Sequence, residues 1–146
     1  MSQTKLTAAL CEHIATVALQ EGRTRNLAPL VVAVLDAGGH LMNFKREDNA
    51  GILRFDIAFG KAWGSIGMGF GSREFLARTQ MNPTFVGALA AASGGRVIPV
   101  PGGVLIKAAD GSVLGAVGIS GDVSDQDEAC CVAGIEAAGF MAQVGA

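Results

Sequence analysis

Lys61 stands in the apolar stretch Phe59-Gly60-Lys61-Ala62-Trp63. An ammonium in such surroundings can anchor an anionic group or, once desolvated, serve as a base. The plainer reading is a surface lysine whose stem covers apolar neighbours while its head stays in water. Asp36 and Arg46 close two short segments, and Ser120, Asp122, Asp125 and Asp127 gather around the start of a later one. Acids at the start of a helix cap it and favour the positive end of its dipole, with no catalytic role required. Asp36 is likewise a residue that turns prefer. Pro101-Gly102-Gly103 could present the N–H groups of Gly102 and Gly103 as an anion-binding nest, or simply bend the chain into a strand. Lys61, Asp36 and Asp127 are therefore the candidate catalytic groups. Arg46, Phe59, Pro101, Gly102, Gly103, Ser120 and Asp122 are the candidate ligand contacts.

The chain has two histidines. His13 falls three residues after Leu10 and four before Val17, on or beside an apolar helical stripe. It reads as a packed or interface histidine, or as a metal ligand in the case that haem binds. His40 follows a Gly-Gly turn and is expected in solvent. Cys11, Cys130 and Cys131 are an odd set with one adjacent pair, a poor disulfide framework. They read as small buried hydrophobes in a reducing compartment.

Most chemical templates fail. VPGGVLIK lacks the spacing of a P-loop, and GMGFGS neither follows a strand nor has the dinucleotide-binding spacing. Gly118-Ile-Ser-Gly-Asp122 misses the nucleophile elbow at its last position. There is no HExxH, and the two histidines come without a CxxC, so a closed zinc site is not expected.

The elements that must position these residues follow from periodicity. Residues 3–21 have helical spacing of apolar side chains, with Gly22 near the stop. Leu30–Asp36 and His40–Arg46 read as strands joined by a hairpin through Asp36-Ala-Gly-Gly. Ile52 to about Met68 returns to helical spacing, interrupted by Gly60, which costs about 1 kcal/mol against Ala in a helix. Such a glycine permits close approach by another backbone or a ligand. Short helices follow from Arg73 to Gln80 and from Asn82 to Ala92. Arg96–Pro101, with two prolines, is demoted to an edge strand or extended loop. Gly102–Lys107 and Val113–Ser120 form a second hairpin, and Ser124-Asp-Gln-Asp127 is a capping box that opens a helix to about Val144. The order α-β-β-α-α-β-β-α lacks βαβ alternation. It argues for an α+β fold, an antiparallel sheet with helices packed on it.

Composition bounds the rest. The 146 residues suit one domain over 1–146, with 50% hydrophobic residues, a mean hydropathy of +0.41 and a formal charge of −2. No apolar run approaches the roughly 20 residues of a spanning helix, and no basic cluster offers a footprint for nucleic acid or anionic lipid. Glu12 and His13 interrupt any signal-peptide core. A cytoplasmic protein that buries its apolar surplus against copies of itself is expected.

Val32–Asp36 with Ala37-Gly-Gly-His-Leu41, then Arg46 and Asp48, open a pattern that extends along nearly the whole chain. It continues through Asp56-Ile-Ala-x-Gly-Lys-Ala62, Arg73-Glu74, Pro101-Gly-Gly-Val104, Asp110-Gly111, Gly115–Gly121 and Asp125-Gln-Asp127. In these segments and their order the chain resembles the GlcG/HbpS-like family, which includes the C-terminal domain of PduO-type proteins. The resemblance implies one α+β domain with about five antiparallel strands, acting as an oligomer. For function it implies a binding module for a small molecule, haem or another tetrapyrrole among the cofactors. Other members sit among enzymes of small-molecule catabolism. A cofactor-free enzyme on a small anionic metabolite is thus a second reading. There Lys61 and Arg46 hold a carboxylate, the Gly102 and Gly103 N–H groups meet oxyanion charge, and Asp36, Asp122 or Asp127 moves a proton. A structural accessory partner of a catabolic enzyme is a third.

Overall fold

The computed structural model describes residues 5–146. Helix α1 (Ala8–Thr24) starts where the Thr7 hydroxyl accepts the Leu10 N–H, so the first turn is capped rather than frayed. Residues 3 and 4 of the expected helix lie outside the described residues. Strands β1 (Val31–Asp36) and β2 (Leu41–Arg46) form the first hairpin, with Gly39 at φ +83° in its turn. Helices α2 (Arg54–Met68), α3 (Glu74–Met81) and α4 (Pro83–Ala92) follow. Strands β3 (Gly103–Lys107) and β4 (Val113–Ser120) make the second hairpin, and α5 (Ser124–Ala137) leads to a short β5 (Met141–Gln143). The five strands lie in the order β2-β1-β4-β3-β5, every neighbour antiparallel. The expected α+β architecture and its order of elements are present.

One segment resolves an alternative the sequence left open, and another differs from the sequence expectation. Residues 96–101 join no strand. Their backbone lies along α2, with the Arg96 carbonyl against Gly60 and Val97 against Gly64. Pro99 and Pro101 carry no N–H to donate to a ladder, which leaves packing on the helix as the alternative. At the other end, α5 stops at Ala137 rather than near Val144. Gly139, at φ +86°, reverses the chain so that Met141–Gln143 pairs with Lys107–Leu105 of β3. The fifth strand comes from the C-terminal segment.

One face of the sheet presents Val32, Val34, Val104, Ile106, Val117 and Ile119 to α1 and α5. The other presents Val31, Ala33, Leu35, Leu105 and Ala116 to α2. Helix α2 lies unusually close to the strands. A Cβ at Gly118 would run into the Ala58 carbonyl, and one at Gly103 into the Lys61 carbonyl. This contact is backbone on backbone, so no side chain can swing away to relieve a substitution.

We therefore expect Gly118→Ala to destabilise the fold by about 1–3 kcal/mol, the usual cost of overpacking. Gly87→Ala, on α4 with open space around the added methyl, should be neutral or stabilising by up to about 1 kcal/mol. Denaturant midpoints at unchanged slope test both.

Candidate functional site

Helices α2 and α5 occupy opposite faces of the sheet, yet one side chain joins them. Lys61 leaves α2 and passes the end of the sheet where β3 begins and β4 finishes. Its ammonium, with the side chain 2% exposed, donates to the Ile119 carbonyl at 2.9 Å and to Asp127 Oδ2 at 3.1 Å. Asp127, fully buried in the first turn of α5, accepts the Asp122 N–H on its other oxygen at 3.1 Å. Gly102 makes the passage. At φ +113° it suits glycine alone, and a Cβ there would sit 2.8 Å from Lys61 Nζ and 3.2 Å from Asp127 Cβ.

Burial pushes the Asp127 carboxyl above the ordinary carboxylate range, against the opposing pull of Lys61 and the Asp122 N–H. The surroundings are satisfied as well. The Gly103 N–H donates to Ser72 Oγ at 2.8 Å, and that hydroxyl donates to the Val100 carbonyl at 2.6 Å. The Cys131 thiol lies 3.4 Å from the Gly102 carbonyl, and burial pushes all three cysteines up, Cys11 and Cys130 to about 11. These thiols are packed, as their helical positions suggested.

Several expectations need correction here. Lys61 is not a surface lysine; its ammonium is sealed in. Asp127 is not the cap of α5; it turns inward to the ammonium and accepts the Asp122 N–H. Gly103 has no N–H left for an oxyanion, and Pro101, Gly102 and Gly103 are all buried. Ser120 is buried under Arg54, which donates to its hydroxyl at 3.1 Å. Both Asp122 oxygens are occupied by backbone N–H groups, from Ala28 at 2.9 Å and Val123 at 2.8 Å. These donors hold its carboxyl below the ordinary range.

Other candidates lie apart from this group. Arg46 shares the same end of the sheet but lies beyond β1, on β2; it donates to the Ala50 carbonyl. There it lines an open cleft of about 470 Å³ with Arg23, Pro29, Glu47 and Asp48. Phe59 is half-buried against Phe55, their ring centroids 5.8 Å apart. His13 is exposed on α1, which corrects its reading as a packed histidine. Asp36 sits at the opposite end of β1 from Val31, the residue that pairs with both Arg46 and Ser120. It cannot share a proton with Lys61.

Asp36 instead builds a second small site with His40, across the Gly38-Gly39 turn. Asp36 Oδ1 accepts the backbone N–H groups of Gly38 and His40, both at 2.9 Å. The imidazole Nδ1 lies 3.1 and 3.2 Å from the two carboxylate oxygens, with the His40 side chain 78% exposed. Burial works to raise the Asp36 carboxyl, but the bonds from His40 and Gly38 outweigh it and hold it below its ordinary range. An ionised carboxylate only accepts, so the imidazole Nδ1–H is the donor, and Nε2 has no partner among the described residues. Sequence reasoning placed His40 in solvent but missed the dyad. The signal was present in the four-residue spacing of Asp36 and His40 around two glycines.

Among the described residues no group of three or more His, Cys, Asp or Glu is placed to hold a bare metal ion. Haem iron is different, since one or two axial side chains suffice, and an oriented imidazole such as His40 meets that need.

A family model described as haem degrading protein HbpS-like matches residues 6–136. A relative from Citrobacter freundii, an uncharacterized 15.0 kDa protein in the dhaT-dhaS intergenic region, is 32% identical over 99 residues, 68% of each chain. Among solved structures, the PduOC:haem complex superposes with a TM-score of 0.85 at 25% identity, covering 94% of this chain and 97% of that one. Klebsiella pneumoniae protein ORFY gives 0.84 at 25% identity over 95% and 94%. A double mutant of HbpS from Streptomyces reticuli gives 0.80 at 25% identity over 94% and 89%.

The buried pair yields a stability prediction. Asp127→Ala leaves an unpaired buried ammonium and should cost about 3–5 kcal/mol, whereas Lys61→Met combined with Asp127→Leu should cost less than Asp127→Ala alone. Because the folded carboxyl titrates above its unfolded value, its contribution is full below the unfolded pKa. That contribution falls as pH rises through the folded one. Asp127→Asn should remove this component of the slope in denaturant titrations across pH.

Proposed function

The chain belongs to the HbpS-like family, and from that premise we propose that it is a haem-binding protein whose iron ligand is His40. The observation that carries this reading is the Asp36–His40 pair. A carboxylate on Nδ1 fixes the tautomer and ring direction and raises the basicity of Nε2, the usual second partner of a ligating histidine. His13 is exposed too, but among the described residues nothing orients its ring. The likeness to PduOC, whose structure is a complex with haem, supports the same ligand. When bound, haem supplies a redox-active iron. The chain's own part is to present Nε2 and to hold the imidazole against rotation.

The cofactor-free enzyme is less well supported. Its lysine is sealed, the Gly103 N–H is already given to Ser72, and Gly102 is buried, which leaves a substrate no shared access to them. Exposed Met81 and Phe85 on the α3–α4 hairpin, at 84% and 47%, support a homo-oligomer. Three free buried thiols suit the reducing cytoplasm, where we place the protein.

Titration with haemin, followed at the Soret band, tests the reading. Saturable one-to-one binding by the parent chain and by His13→Ala, with its loss in His40→Ala, is the expected result. Loss in His13→Ala instead would move the ligand to α1, and a non-saturating response in the parent would end the haem reading.

A further inference from the structure

Trp63, which touches the turn before His40, carries an arginine that no acid claims. Arg23, Arg25, Arg73 and Arg78 are paired with carboxylates, whereas among the described residues Arg46, Arg54 and Arg96 are not, and Arg46 and Arg54 donate to Ala50 and Ser120. The Arg96 guanidinium carbon sits 4.4 Å from the centre of the Trp63 ring. Its Nε–H donates to the Ser93 carbonyl at 3.0 Å, and its own carbonyl is fixed against Gly60 of α2. The side chain is thus held at both its root and its head, while among the described residues no acceptor takes the remaining N–H groups of the fork on this exposed residue.

The same indole touches the His40 turn. A Cβ at Gly39 would lie 3.5 Å from Trp63 Cδ1 and Nε1, so the glycine backbone rests on the indole edge immediately before His40. Imidazole, indole and guanidinium therefore follow one another over a short stretch of surface. Each group has a separate chemical meaning: a nitrogen lone pair for a metal, an apolar flank for a flat ring, and a planar fork for a carboxylate. A planar macrocycle with an iron at its centre and carboxylates on its rim matches that sequence of groups.

We infer that Trp63 and Arg96 extend the His40 site into a subsite for the haem periphery, with Arg96 taking a propionate carboxylate and Trp63 flanking the ring. This rests on His40 being the iron ligand, and it adds residues from α2 and from the segment before β3 that the ligand assignment does not need. It also gives a use to the extended segment 96–101, which sets the arginine over the indole.

The test compares haemin with haemin dimethyl ester, whose propionates are neutral. Arg96→Ala should weaken haemin binding about tenfold, in keeping with loss of a charge-assisted hydrogen bond, and leave the Soret position unchanged. Binding of the dimethyl ester should be the same in Arg96→Ala as in the parent, and Arg96→Lys should restore part of the haemin affinity. Equal weakening toward both ligands would mean that Arg96 only steadies Trp63, and no change toward either would mean that the propionate lies elsewhere; both overturn the inference. Retained haemin affinity in His40→Ala would instead overturn the iron-ligand assignment, a failure read from a different variant. Arg96→Gln, monitored for an unchanged denaturant midpoint, guards against a folding defect posing as lost affinity.

Discussion

The ion pair between Lys61 and Asp127 joins two helices that the sheet keeps apart. Helix α2 lies on one face and α5 on the other, and neither packs on the other's apolar stripe. A buried pair of this kind is a weak source of net stability, because desolvating two charges offsets most of their attraction. Its effect is positional. The ammonium reaches the carboxylate only if Gly102 lacks a side chain and α2 lies with its backbone almost on the strands. The carboxylate must also be turned inward by the Asp122 N–H. Small residues at 102, 103 and 118, the lysine and the aspartate are one arrangement, and each would be costly without the others.

That arrangement determines where ligand chemistry can occur. Around the lysine that end of the sheet is closed, with Ser72, Ser120 and Asp122 engaged in internal hydrogen bonds, and the cleft beside Arg46 lies apart from it, beyond β1. The far end of β1 lies about five residues away, roughly 17 Å along an extended strand. There the hairpin turn leaves an imidazole in solvent, held by a carboxylate, with the Trp63 indole against the glycine before it.

Much of the fold was legible in the sequence because each element carried its own local signature. Helical spacing marked α1 and α2, and β-branched runs bounded by Asp-Gly and Gly-Gly turns marked the hairpins. Gly60 announced a close approach, and the Arg96 carbonyl provides it. Residues 141–143 carried no such signature, since three residues following a helix can continue it or turn back. Gly139 and the open edge of β3 decided between those outcomes. Likewise Ser124-Asp-Gln-Asp127 located the start of α5, although Val123 holds the cap position and no side chain caps it, and nothing local could reveal that Asp127 faces an ammonium from another layer.

The sequence by itself determined the class of fold, the family, the packed state of the cysteines and the short list of polar residues worth watching. Those are consequences of periodicity, turn chemistry and residue type, which act over a few positions. Tertiary structure alone decided which polar residues are structural and which face solvent. Lys61 and Asp127 are 66 residues apart and meet only because the lysine side chain passes the end of β3 and β4 from one layer to the other. Asp36 and His40, four residues apart, were readable in principle, whereas Trp63 and Arg96 reach the same surface only after α2 and residues 96–101 have packed together. Burial and charge pairing are properties of what lies across the core, and a linear pattern records only one side of each such contact.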